Sequence, residues 1–222
     1  MYRVNDIYPA LQGEGVLSGV PMVILRLHGC EVGCPFCDTR ETWSVAPENR
    51  VETIDAALGA NALWCEVDAR DVASYIAHEY PQFVWVMVTG GEPAAQDLRE
   101  LVQALHERGL AVALETSGTQ AGFIGAGVDW VCVSPKIGMP GGFEILPEVI
   151  AQADEIKHVV GRQRDIERLE ELLKTCEMKR GAIVCLQPMS TGDAATKLCI
   201  ETVMSRGDWR LSLQTHKLVG LR

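Results

Sequence analysis

The chain has 222 residues, 47% of them hydrophobic and 23% charged, with a formal charge of −10. That length predicts one domain over residues 1–222 with a sizeable buried core. The acidic balance argues against nucleic acid or an anionic membrane as partner, because phosphates demand a basic face. No apolar run approaches a membrane span, and Met1-Tyr-Arg-Val-Asn-Asp-Ile7 lacks the positive-then-apolar pattern of a secretory leader. Eight cysteines then point to a reducing, cytoplasmic setting, where clustered thiols serve metal or redox chemistry rather than disulfides.

The first strand candidate is 22–28, holding the apolar run Met22-Val-Ile-Leu-Arg-Leu27, and a cysteine loop follows it directly. The stretch 44–60 is polar with no clean period. A strand at 83–89 runs into Thr89-Gly-Gly-Glu-Pro93, and Leu98, Leu101, Val102 and Leu105 predict a helix closed by Gly109. The strand 111–115 leads into Glu115-Thr-Ser-Gly118. The strand 130–134 leads into Ser134-Pro-Lys136 and a Gly/Pro loop over 136–142. After a strand at 154–160, Ile166, Leu169, Leu172 and Leu173 line a helix, and a strand at 182–187 ends in Gln187-Pro188. Asp193 starts a helix marked by Ala195, Leu198, Cys199, Thr202 and Val203, and a strand at 210–215 closes the chain.

Most of these strands are continuously apolar, as expected of strands covered on both faces. Alternation with helices predicts an α/β fold with a parallel sheet. Because helices look absent or irregular at 44–60 and 136–142, the expected form is an incomplete, shortened parallel (β/α) barrel. Ligands in such folds bind at the carboxyl ends of the strands, and the polar motifs all fall there.

The cysteine loop reads Cys30-Glu-Val-Gly-Cys34-Pro-Phe-Cys37. A lone Cys-x-x-Cys is a redox pair or half a zinc site about as often as a cluster ligand. A structural zinc needs a fourth ligand, with His28 and Cys65 the unconvincing candidates, and a dithiol site would leave Cys30 over. Three thiolates fit a [4Fe–4S] cubane better, holding three irons and leaving one open to a small molecule. Cys132, Cys176, Cys185 and Cys199 read as core residues, and His78, His106 and His158 carry no motif.

Cys-x₃-Cys-x₂-Cys after a strand, Phe36 before the last cysteine and Gly90-Gly91-Glu92-Pro93 resemble the radical S-adenosylmethionine enzymes. Leu11-Gln-Gly-Glu-Gly15, Cys37-Asp38-Thr39, Glu115-Thr-Ser-Gly-Thr119 and Leu213-Gln-Thr-His-Lys217 narrow the resemblance to the 7-carboxy-7-deazaguanine synthase family, over nearly the whole chain. That family converts 6-carboxy-5,6,7,8-tetrahydropterin to 7-carboxy-7-deazaguanine with loss of ammonia, toward queuosine and related deazapurines. The resemblance implies a [4Fe–4S] cluster on Cys30, Cys34 and Cys37, whose electron cleaves S-adenosylmethionine to a hydrogen-abstracting 5′-deoxyadenosyl radical. It also implies a donor such as flavodoxin or ferredoxin, and a homodimer.

By the same resemblance, Phe36, Cys37, Asp38, Gly91, Glu92, Ser117, Ser134, Pro135, Lys136 and Gln187 meet S-adenosylmethionine, with Thr116 and Gly118 near the ribose. Leu11, Gln12, Gly13, Glu14, Arg26, Thr89, His216 and Arg222 meet the pterin. Arg26 suits a carboxylate or the cluster edge, with an ion pair to Glu14 as the alternative. Thr39 matches a Mg²⁺-binding threonine of the family, with a helix N-cap near Glu41 as the alternative. A small glycyl-radical activating enzyme is the nearest catalytic rival, and a non-enzymatic iron–sulfur or zinc protein the rival from another class.

Overall fold

The computed structural model describes residues 1–59, 61–189 and 192–220. Its strands are β1 (Tyr2–Leu11), β2 (Pro21–Leu27), β3 (Cys65–Val67), β4 (Trp85–Gly90), β5 (Ala111–Thr116), β6 (Trp130–Val133), β7 (Glu155–Val160), β8 (Ile183–Pro188) and β9 (Arg210–Leu211). Its helices are α1 (Ile54–Ala57), α2 (Ala69–Glu79), α3 (Arg99–His106), α4 (Pro147–Ile150), α5 (Gln163–Thr175), α6 (Asp193–Arg206) and α7 (Thr215–Leu218). The strands form one sheet in the order β3-β1-β2-β4-β5-β6-β7-β8-β9. It is parallel from β2 to β9, with β1 antiparallel to both β2 and β3. The sheet stays open, with β3 and β9 at its edges, as an incomplete barrel requires. No helix among the described residues is long and apolar enough to cross a membrane.

Two corrections to the sequence reading concern the leading edge. The run after Pro21 is the second strand, and the first, β1, carries Asn5, Asp6 and Pro9, residues that depress strand propensity. Asn5 and Asp6 are tolerated because Gly59, Asn61 and Leu63 supply their partners. The buried Asn5 amide donates to the Asn61 and Leu63 carbonyls at 2.7 Å, and Asp6 accepts from the Gly59 N–H at 3.2 Å. Pro9 lies beyond the reach of β3, which pairs only with Tyr2, Arg3 and Val4, so its missing N–H breaks no ladder. The stretch 44–60 contains α1, and β3 follows it shortly after. Cys65, unassigned by sequence, is a fully buried core residue of β3.

The two faces of the sheet differ. One carries Leu25, Val88, Leu114, Ile156 and Leu186 against Ile76 of α2, Leu101 of α3, Leu169 of α5 and Cys199 of α6, in one continuous core. The other starts apolar, with Met22, Ile24, Met87 and Ala113 packed beside Trp85 and Trp130. Towards the strand ends the same alternation presents Arg26, Thr89, Glu115, Lys157 and Gln187. Period two therefore sorts helix packing from chemistry within runs that read as uniformly apolar. Among the cysteines expected in the core, Cys132, Cys185 and Cys199 are buried, whereas Cys176 is only half-buried, just past the end of α5.

His158 points into the helix-covered face and is 7% exposed, its Nε2 3.0 Å from the Asp165 carbonyl. Burial above all, with Lys136 adding to it, pushes the imidazole down to about 4. In the unfolded chain it protonates near pH ~6.5. The stability it protects is therefore whole above pH ~6.5 and drains away as the pH falls towards about 4. The loss is roughly 3 kcal/mol. Unfolding free energies of the apoprotein across that range should fall less steeply in His158→Gln than in the parent; parallel slopes would refute the assignment.

Candidate active site

The cysteine loop leaves β2 and returns under the 3₁₀ turn Arg40–Thr42. The Gly29 and Cys30 N–H groups donate to the Thr42 and Trp43 carbonyls at 2.7 and 3.1 Å, and the Cys37 N–H donates to the Cys34 carbonyl at 3.1 Å. The loop is pressed against the end of β4 so closely that the two glycines there are steric necessities. A Cβ on Gly90, at φ +128°, would come 2.1 Å from the Leu27 carbonyl oxygen, and one on Gly91 would come 2.3 Å from that of Gly29. Only glycine allows these approaches.

None of the three loop cysteines is in a disulfide; Cys34 is buried and the other two are half-buried. Burial pushes Cys30 up to about 11, with Glu92 and the neighbouring sulfurs adding to it, and burial raises Cys34 against the pull of Lys136. Bare thiolates are thus disfavoured here unless a cation replaces their protons. The Cys37 sulfur faces the Thr39 N–H and the Trp43 indole N–H, each at 3.4 Å, with the Thr39 hydroxyl 3.6 Å away.

Among the described residues no three His, Cys, Asp or Glu side chains converge to hold a single metal ion, which is against a closed zinc site. A cubane instead takes its three ligands on three different irons, and Cys30, Cys34 and Cys37 line one cavity. His28 is no candidate ligand: its Nε2 lies 2.8 Å from the Ser44 carbonyl and its ring stacks on Trp64.

Two cavities meet at this rim. The first, about 280 Å³, is lined by the three cysteines and by Phe36, Asp38, Gly91, Glu92, Ser117, Ser134, Lys136 and Gln187. The second, about 370 Å³, is lined by Leu11, Gln12, Gly13 and His216. Glu14, Arg26, Asp38, Thr39, Thr89, Glu115 and Lys157 border both and form the seam. Of the residues expected to meet S-adenosylmethionine, those on the first cavity line it alone, except Asp38. Of those expected to meet the pterin, Leu11, Gln12, Gly13 and His216 line only the second; Asp38, Glu14, Arg26 and Thr89 border both. Pro135 stands beside a smaller recess behind Phe36 and Lys136, and Arg222 lies outside the described residues.

Several side chains have partners that sequence left open. Thr39 precedes the 3₁₀ turn but its hydroxyl does not cap it; it lies 3.5 Å from the Gly90 carbonyl and faces both cavities. Arg26 makes no ion pair with Glu14. It donates to the Tyr8 hydroxyl at 2.7 Å, with its guanidinium 5.8 Å from that ring's centroid. Glu92 lines the first cavity, yet its carboxylate accepts from the Ala94 N–H at 3.0 Å and from the Thr116 hydroxyl and Ser117 N–H at 2.7 Å. It locks the ends of β4 and β5 together.

Lys157 is the residue that sequence reading missed. Its ammonium, 4% exposed, donates to Glu14 at 2.8 Å and Glu115 at 2.7 Å. Burial disfavours the charge on Lys157, but the two carboxylates outweigh it and the ammonium is held well above its usual range. Burial likewise works against ionised Glu14, and Lys157 together with the Gln214 amide brings it down to about 2. A lysine inside the apolar strand 154–160 was the available signal.

No protein-family model matches the chain. It is 42% identical over 222 residues to the 7-carboxy-7-deazaguanine synthase of Escherichia coli, covering 99% of each chain. It is 36% identical over 222 residues to the enzyme of that name from Bacteroides thetaiotaomicron, covering all of both. With the one from Buchnera aphidicola it shares 32% over 224 residues, covering 100% of this chain and 99% of that one. The crystal structure of QueE from Escherichia coli superposes with a TM-score of 0.89 at 41% identity, covering 97% of this chain and 94% of that chain.

Proposed function

The chain belongs to the 7-carboxy-7-deazaguanine synthase family of radical S-adenosylmethionine enzymes, and we propose that it converts 6-carboxy-5,6,7,8-tetrahydropterin to 7-carboxy-7-deazaguanine with loss of ammonia. The observation that carries this reading is the pair of adjacent cavities bordered by the same seven residues, a cofactor side and a substrate side. Cys30, Cys34 and Cys37 would hold a [4Fe–4S] cluster that, with S-adenosylmethionine, supplies one-electron, hydrogen-abstraction chemistry.

On the cofactor side the chain offers groups that match S-adenosylmethionine. Ser117, Ser134 and Gln187 bring hydroxyls and an amide for the sugar and amino-acid ends, while Phe36 adds apolar surface; Pro135, outside this cavity, is assigned to the cofactor from sequence alone. Asp38 and the Gly91–Glu92 backbone face the same space. On the substrate side, Arg26 presents a planar fork to the carboxylate, its orientation fixed by Tyr8. Glu14, ionised at any working pH, accepts from the ring N–H and amino donors, and Leu11, Gln12, Gly13, Thr89 and His216 complete the wall. Arg222 is assigned to the substrate from sequence alone.

Thr39, on the seam, would give one oxygen to Mg²⁺, with water and substrate oxygens supplying the rest. Thr39→Ala is expected to keep its full iron content and lose at least about tenfold in turnover, the scale of weakening one metal contact. Parent and variant responding identically to Mg²⁺ titration would remove the metal from this site. A low-potential donor such as flavodoxin or ferredoxin, a cytoplasmic setting and a homodimer complete the proposal.

Anaerobically reconstituted, reduced protein given S-adenosylmethionine and the carboxytetrahydropterin should yield 7-carboxy-7-deazaguanine by mass with one ammonia per product. Loaded protein that consumes S-adenosylmethionine yet leaves the pterin intact would overturn the reading.

A further inference from the structure

Trp43 belongs to none of the motifs above, yet it holds both ends of the cysteine loop. Its carbonyl accepts from the Cys30 N–H at 3.1 Å, and its indole N–H donates to the Cys37 sulfur at 3.4 Å. The 3₁₀ turn Arg40–Thr42 delivers it there, with the Trp43 N–H donating to the Arg40 carbonyl at 3.2 Å. Arg40 braces the arrangement. Its guanidinium lies 5.7 Å from the centroid of the indole and donates to the Pro35 carbonyl inside the loop. A cation over the ring face draws electron density from the indole and strengthens its N–H as a donor. The half-buried ring also lines the first cavity and so shields that sulfur from water.

A donor aimed at a ligand sulfur stabilises the state with more negative charge on that sulfur. For an iron–sulfur cluster this is the reduced state, and hydrogen bonds to the sulfurs are among the factors that set its potential. We propose that Trp43 is a positioning residue that raises the reduction potential of the iron–sulfur cluster on this loop through the indole N–H it gives to Cys37. The inference rests on the reading that Cys30, Cys34 and Cys37 hold a [4Fe–4S] cluster. The Thr39 N–H serves the same sulfur and the Thr39 hydroxyl lies 3.6 Å from it, but both stay in place when Trp43 is substituted, so the variant reads the indole donor by itself.

Trp43→Phe keeps an aromatic ring and the carbonyl that holds Cys30, and deletes only the donor. Parent and variant are reconstituted anaerobically and their iron and sulfide measured. Each is then titrated with dithionite and low-potential mediators while the reduced cluster is followed by EPR. The expected result is equal iron content and a more negative midpoint in the variant. At a fixed potential its reduced-to-oxidised ratio should fall about tenfold, which is ~59 mV for one electron. Equal midpoints in two fully loaded proteins would overturn the inference and leave the cluster assignment standing. A parent that binds no iron would overturn both. If the variant fails to load, parent protein grown with indole-¹⁵N tryptophan decides: a ¹⁵N coupling to the reduced cluster supports the donation, and its absence refutes it.

Discussion

Lys157→Met is expected to cost the folded protein roughly 3–5 kcal/mol, the penalty for removing one partner of a buried ionic group, together with most of its turnover. The substitution leaves Glu14 and Glu115 facing each other with 19% and 17% of their side chains exposed, and two such carboxylates cannot both stay ionised. The cation that holds Glu14 at about 2 in the parent is then gone, and the pair shares a proton. This weakens Glu14 as an acceptor for substrate donors and loosens the link between the β1–β2 loop and the end of β5. Urea unfolding of the apoprotein checks the stability loss. The triple change Lys157→Met, Glu14→Gln, Glu115→Gln, which removes all three charges, should recover most of the stability and none of the activity. Recovery of both would show that Lys157 only supports the fold; a single variant as stable and active as the parent would contradict its role at the seam.

Cys34→Ala is expected to abolish iron loading and turnover together. Cys34 is the middle ligand of the loop and the most buried of the three. Two thiolates cannot hold a cubane that needs three, and burial makes the remaining Cys30 an unwilling thiolate without a metal. Because the apoprotein loses only a small side chain from a loop, its unfolding free energy should change by less than about 1 kcal/mol. This separates a ligand from a core residue. Iron content and 5′-deoxyadenosine release after reconstitution check the prediction, and a variant that retains both would refute ligation by Cys34.

The parallel strands were readable because burial on both faces writes an apolar run, and β5 starts at the expected residue and ends one later. β1 was not, since Asn5 and Asp6 are satisfied by groups more than fifty residues away that no local pattern announces. β3 has three residues, too few for a period. The rim motifs were readable for the opposite reason. A cysteine loop or a Gly-Gly-Glu-Pro turn carries its chemistry within a few residues. Lys157 meets Glu14 across 143 positions, and only the oddity of a charge inside an apolar strand hinted at it. For Trp43, whose indole reaches back six residues to Cys37, sequence offered no sign.

The proposed reaction requires hydrogen to pass from a ligand in one cavity to a ligand in the other, across the seven residues that border both. Reduced, cluster-loaded protein is to be incubated with S-adenosylmethionine and carboxytetrahydropterin deuterated at its carbon-bound ring positions, and the products weighed by mass spectrometry. Deuterium in 5′-deoxyadenosine alongside 7-carboxy-7-deazaguanine is the predicted result. 5′-Deoxyadenosine free of deuterium, formed in equal amount with or without the pterin, would contradict it.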